Sequence, residues 1–321
     1  MEAPNKLGLG VGGLGKGDPS KVFLVYSGIA SDARDLAERF GIDDVDNTTL
    51  IFASIEEAIN ACLASRGDHI KVMPGHTETL SSATALKLDT AGIYIEGLGY
   101  GTLVPKITLD TADTTTIPVS ASDIVVENIK FSANYADIAT LFTVTTAKHF
   151  TLRYCQFVDT AANMNFLTIV TTNSTNNASD GLSVIGCSWI TPDTATSTLL
   201  TIAGDLDGLK VQGCYLNLGV NASDLPAIAI VATGKDLTNM HIGGKTPAEG
   251  NIVIRLNTAN PLLITCDTTT ANTGYVANNF VRHLDTAAEL LVTAATNIGF
   301  FENKCTAAVD KSGFIIPAVD S

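Results

Sequence analysis

The chain has no apolar run of 18 residues, so nothing in it reads as a membrane-crossing helix. No stretch of lysine or arginine offsets a formal net charge of −14. A surface of that sign repels nucleic acid phosphate and anionic lipid, so DNA, RNA and membrane partners are set aside. It suits solubility, and it also suits contact with a basic protein surface. None of the six cysteines, Cys62, Cys155, Cys187, Cys214, Cys266 and Cys305, forms a CxxC pair, which argues against a zinc ribbon or a thioredoxin-like site. Their wide spacing fits buried free thiols in a reducing compartment. The first residues lack the basic start and apolar stretch of a secretory signal, so synthesis in the cytosol, with release by a route such as lysis, is the expectation. Aromatic residues are 6%, with Trp189 the single tryptophan, which is little for a sugar-binding platform. Charged residues are only 16% against 45% hydrophobic, a balance too apolar for disorder and sufficient for a long core in one large domain or two ordinary ones.

What is present is a repeat. An alternating apolar segment, usually followed by Gly or Asn, then a small or apolar residue and often an aromatic, starts at Ile93, Ile124, Phe150, Leu182, Leu209, Met240, Gly274 and Ile298. The steps run from 24 residues (274 to 298) to 34 (240 to 274). A second short apolar strand precedes most copies: Leu141–Val144, Leu199–Ile202, Ala227–Ile230, Leu262–Ile264 and Glu289–Val292. Alternation at period two buries one face and wets the other. Strands this short are unstable alone and must stack on their neighbours. The leucine-rich pattern LxxLxLxxN is missing, and helical periodicity is absent from residue 80 onward. The remaining solution is an all-β, right-handed parallel β-helix over residues 67–321, with Gly and Asn at sharp corners that need a left-handed backbone. The variable step predicts loops bulging from one corner, as at Thr171–Gly181.

In such a stack Cys155, Cys187 and Cys214 fall at one position of successive coils and form an inward ladder. A metal or redox cluster there is disfavoured because no histidine matches. The ends of the column need covers. Ser54 and Glu57 form a capping box for a helix carrying the stripe Ile55, Ala58, Ile59, Cys62 and Leu63 and stopping at Arg66-Gly67, within an N-terminal region of residues 21–66. Lys21–Ser27 reads as a strand that pairs with the first coils, and Ser31–Phe40 as a short helix.

The helix followed by "GDHIKVMPGHTETL" (residues 67–80) resembles the opening of pectate-lyase-like right-handed β-helix proteins, in which a helix caps the first coil and a strand with a Pro-Gly turn follows. "PGHTET" resembles the β-helix proteins of tailed-phage structural genes more than the plant-cell-wall lyases. That resemblance implies a virion component, a capsid decoration protein or a spike, assembled as a homotrimer and bound to the major capsid protein or another virion protein.

Residues 1–20 alternate glycine with aliphatics. They read either as a disordered tail or as an arm that orders on a partner through Leu7, Leu9, Val11 and Leu14. The GxGxxG match at Gly8, Gly10 and Gly13 follows no strand and opens no helix, so it is not a dinucleotide site. The chain ends soon after the last coil, at Phe314–Pro317, with no further domain expected.

Glycoside hydrolysis needs two close carboxylates. Asp110 with Asp113 and Asp205 with Asp207 are the candidates, but both pairs read as ordinary turn residues without acidic counterparts in the next coil. Lyase chemistry needs a base near calcium-holding carboxylates. Arg153, Lys210 and Arg255 face outward away from clustered acids, and Asp205-Leu206-Asp207 reads as a turn before it reads as a calcium site. The histidines, His69, His76, His149, His241 and His283, make no HxxxH pair, and His76 reads as structural. Trp189, Phe131, Phe157 and Tyr215-Leu216 read as a stacked column. No catalytic residue, cofactor or metal is assigned. The reading is a non-enzymatic virion structural protein, with a tailspike-like polysaccharide depolymerase and a glycan-binding adhesin as alternatives.

Overall fold

The computed structural model describes residues 20–27, 50–80, 82, 85–191, 197–218, 225–254, 263–266, 271–282, 291–292 and 297–305, with the side chain of Cys305 excepted. The arm anchors Leu7, Leu9, Val11 and Leu14, the helix expected at Ser31–Phe40, Arg255, His283, Glu289 and the end of the chain from Phe314 lie outside these residues.

Six of the eight copies, those starting at Ile124, Phe150, Leu182, Leu209, Gly274 and Ile298, are two strands bent at one residue. Val125–Glu127 and Lys130–Ala133 flank Asn128, Thr151–Arg153 and Gln156–Asp159 flank Tyr154, and Ser183–Ile185 and Ser188–Ile190 flank Gly186. The bend residue is left-handed throughout: φ is 52° at Asn128, 53° at Tyr154, 62° at Gly186, 63° at Gly213, 58° at Asn278 and 49° at Glu302. Asparagine and glycine tolerate this conformation best. Gly186 has a further reason, since a Cβ there would come within 2.4 Å of the Tyr154 ring, which lies over it.

A third short strand completes the coil, as at Phe142–Val144 and Thr198–Ile202. The result is a parallel β-solenoid of about seven turns. Its three faces hold 11, 9 and 6 strands in turn. Strands on the three faces pair in parallel, for example Leu152↔Val184, Phe157↔Trp189 and Phe142↔Val170. The interior is one continuous apolar column running from Phe23 to Ile298. Phe131, Phe157, Trp189 and Leu216 stack in register on the second face, with the Phe131 and Phe157 rings 6.2 Å apart. Tyr215, expected in that column, points outward instead, because alternation puts Leu216 inside.

Additional residues leave the column at all three corners, not at one. Gly244–Gly250 bulges between the first and second faces, Asn134–Ile138 between the second and third, and Asn173–Gly181 between the third and first. Any corner can lengthen while the strands on either side stay stacked.

At the N-terminal end, Val22–Val25 inserts between Ile51–Phe52 and His69–Val72 and extends the first face beyond the first coil. The helix Ile55–Ala61 lays Ile55, Ala58 and Ile59 onto the interior. Ser54 Oγ accepts the Glu57 N–H at 3.2 Å, but Glu57 Oε2 takes the N–H of Ala53 (3.1 Å) rather than that of Ser54. The helix stops at Ala61, earlier than Arg66-Gly67, and Leu63 is 52% exposed rather than part of the stripe. Asp68 gives the reason. Its fully buried carboxylate accepts the N–H of Leu63 at 2.9 Å and of Lys21 at 2.9 Å, and both nitrogens of the Arg66 fork at 2.6 Å. These bonds draw the chain out of the helix. Burial pushes the Asp68 carboxyl up, but Arg66 and the two N–H donors outweigh it and hold it below the usual range.

Candidate functional site

Among the described residues, the charges at outward strand positions of the second face are all cations. One outward column of its strands runs through Lys106, Lys130, Gln156, Ser188, Tyr215, Ile252, Phe280 and Lys304. The neighbouring outward column includes Ile190 and ends at Arg282. Among the described residues, no outward strand position on this face is a carboxylate, in a chain with formal charge −14. Lys106 and Lys130 lie directly across from one another, at a strand spacing of about 4.8 Å, and neither is in an ion pair with a described residue. Like charges so placed are destabilising unless something of opposite sign meets them. Further along the column Tyr215, Ile252 and Phe280 are 37%, 44% and 40% exposed, with Ile190 beside them at 50%. Contiguous apolar groups in water mark a contact surface.

The first face carries a different constellation. Glu96 and Glu127 are directly across from one another on adjacent coils, and Lys71 and Arg153 continue the same column on either side. Lys71 Nζ is 3.7 Å from Glu96, and the Arg153 guanidinium donates to Glu127 Oε2 at 3.3 Å. Tyr94 Oη donates to the same Glu127 oxygen at 2.5 Å. His69 Nε2 lies 3.0 Å from Glu96 Oε2, outside hydrogen-bond alignment, and its ring packs on Tyr94 at 4.5 Å. Burial, and then the bond to Glu127, push the Tyr94 hydroxyl up to about 12. Burial, partly opposed by Glu96, holds the His69 ring below its ordinary value. Arg153, expected away from acids, thus sits beside Glu127 and next in line to the Glu96–Glu127 pair. The pair was legible in principle, since Glu96 and Glu127 close the strand halves of the first two copies.

The other candidates do not converge. Asp110 and Asp113 are exposed at the corner after Lys106–Leu109. Asp205 Oδ1 accepts the Asp236 N–H at 3.0 Å, and Asp207 Oδ1 accepts from Thr238 Oγ1 at 2.8 Å and Asn239 Nδ2 at 2.7 Å, so both tie coils together. The Thr238 and Asn239 bonds lower the Asp207 carboxyl. Among the described residues, no three His, Cys, Asp or Glu side chains group to hold a metal. His76 is buried with Nε2 3.4 Å from Glu78 Oε2, which also accepts the N–H of Ile55 at the helix start. His149 Nδ1 pairs with Asp123 at 2.8 Å on the surface, and His241 stacks on Tyr275. Lys210 lies outward, across from His241.

The corner between the first and second faces holds what the sequence reading missed. Cys155, Cys187 and Cys214 are stacked and buried as expected, and the column then continues as Asn251, Asn279 and Asn303. Asn251 Nδ2 donates to Asn279 Oδ1 and Asn279 Nδ2 to Asn303 Oδ1, both at 2.9 Å. Each side chain also donates to a strand carbonyl, that of Val211, Ile242 or Val276. This ladder is structural: every amide is buried and spent on its neighbours.

Comparison with protein-family models, with curated proteins and with solved structures found no match to the chain. The architecture therefore rests on the chain's own repeat and register.

Proposed function

We propose that the protein is a non-enzymatic structural component of a virion, a capsid decoration protein or head-associated spike that works as a homotrimer and binds the major capsid protein or another shell protein. The observation that carries this reading is the second face. A column that works alone gains nothing from holding Ile190, Tyr215, Ile252 and Phe280 in water, whereas an assembled one covers them. The stacked coils supply a rigid rod, and the acidic corners remain available to a basic shell surface. The resemblance of residues 67–80 to phage β-helix proteins points the same way. The test is to mix purified protein with particles that lack it, sediment them, and image the pellet. Stoichiometric, ordered density on the particles supports the proposal. Protein that stays in the supernatant at every ratio overturns it.

The registered carboxylates favour one second reading, a polysaccharide-cleaving enzyme. A strand spacing of about 4.8 Å puts Glu96 and Glu127 near the roughly 5–5.5 Å separation of a retaining pair, with Tyr94 and Arg153 donating hydrogen bonds to Glu127. Reducing ends released from surface polysaccharide by the native chain, and not by Glu127→Gln, would establish it. No release by either would leave the network as surface ion pairing.

A further inference from the structure

The exposed second face has a complement on the same molecule. Two of its lysines stand in the second and third coils, on the strands Lys106–Leu109 and Lys130–Ala133, and Lys304 stands at the far end of the face. The corner that follows those two strands carries Asp110 and Asp113 after the first and Asp137 after the second, all exposed. Cations on the face and anions on the adjoining corner therefore lie at the same height along the column.

From this juxtaposition we propose that copies of the chain associate side by side and parallel, the second face of one against the corner between the second and third faces of the next. Lys106 and Lys130 of one copy then meet Asp110, Asp113 and Asp137 of its neighbour. The inference rests on the assembly reading above and names the partner of that surface as a second copy.

Three arguments support this occupant. Copies of an acidic chain repel one another, and the lysines of the second face oppose that repulsion. The unbalanced Lys106–Lys130 pair needs anions, and a parallel neighbour brings them level without any other component. The contact is head-to-tail, and its two halves lie on adjoining sides of the column, so successive copies turn toward one another and close a ring instead of extending a row.

The test is sedimentation equilibrium with light scattering on the purified full chain. A discrete closed oligomer is expected, three copies for the homotrimer. Lys106→Glu with Lys130→Glu should weaken association by about tenfold or more, and so should Asp110→Lys with Asp113→Lys. All four changes together should restore it, because the charges are exchanged across the contact. These side chains are on the surface, and unchanged circular dichroism confirms that the variants fold. A monomer at every concentration, an oligomer indifferent to either reversal, or failure of the fourfold variant to recover would overturn the proposal. Particle binding is read separately, so a monomer that still decorates particles sinks this inference alone. An oligomer that never binds them sinks the virion reading alone.

Discussion

Cys214 and Asn251 occupy the same corner of successive coils, and the backbone N–H of Cys214 donates to Asn251 Oδ1 at 2.9 Å. Here a ladder of thiols gives way to a ladder of amides. A thiol fills the corner as a small hydrophobe and asks little of its neighbours. An amide must find partners for two donors and an acceptor, and a stack of identical amides supplies them at each step.

Asn279 is the middle rung, accepting from Asn251 and donating to Asn303 and the Ile242 carbonyl. Asn279→Ala should leave buried groups on both neighbours unpaired and cost about 3 kcal/mol. Urea unfolding followed by circular dichroism measures this. A midpoint equal to that of the parent chain would mean that the ladder contributes nothing net.

The thiols should be inert in the folded chain. Burial raises the Cys187 thiol, with Cys155 adding to the effect, and burial pushes Cys214 up to about 12. The thiolate is the reactive form, so an aromatic disulfide reagent at neutral pH should leave Cys155, Cys187 and Cys214 unmodified until denaturant is added. Peptide mapping after trapping identifies the sites, and rapid labelling of any of these three in the native chain would contradict their placement.

Asp159 should make stability fall as pH rises. Its carboxyl is buried on the inward side of the second face, accepting the Phe166 N–H at 3.1 Å and the Trp189 indole N–H at 3.3 Å. Burial, only partly offset by those bonds, pushes it from 3.8 up to about 6. A carboxyl raised on folding contributes stability that is whole below the unfolded value and is lost as pH climbs through the folded one. The loss is about 3 kcal/mol between pH 4 and pH 6 or slightly above. Asp159→Asn should lack this fall. Denaturation midpoints across that range for both proteins decide it, and parallel curves would show that Asp159 titrates normally.

Much of the column could be read before any coordinates. Leu152 lies between Thr151 and Arg153, Val211 lies between Lys210 and Gln212, and Asn128 marks a corner, because period-two burial and left-handed turns each leave a local trace. The break of most copies into two strands at that corner was not visible, since one left-handed residue bends a chain without changing its alternation. Asn251, Asn279 and Asn303 leave no such trace, because only the stack reveals that their amides are buried. Glu96 and Glu127 are 31 positions apart (96 to 127), and only the pairing of Tyr94–Gly97 with Val125–Glu127 makes them neighbours.

By itself the sequence determined that short half-buried strands must pile into a shared column, because no copy can bury its own apolar side. The tertiary structure alone decided which outward residues line up on a face. Coil length sets register, register sets columns, and columns place Lys106 over Lys130 and Tyr215 above Ile252 and Phe280. Charge and exposure on a solenoid belong to the stack, and no single repeat contains them.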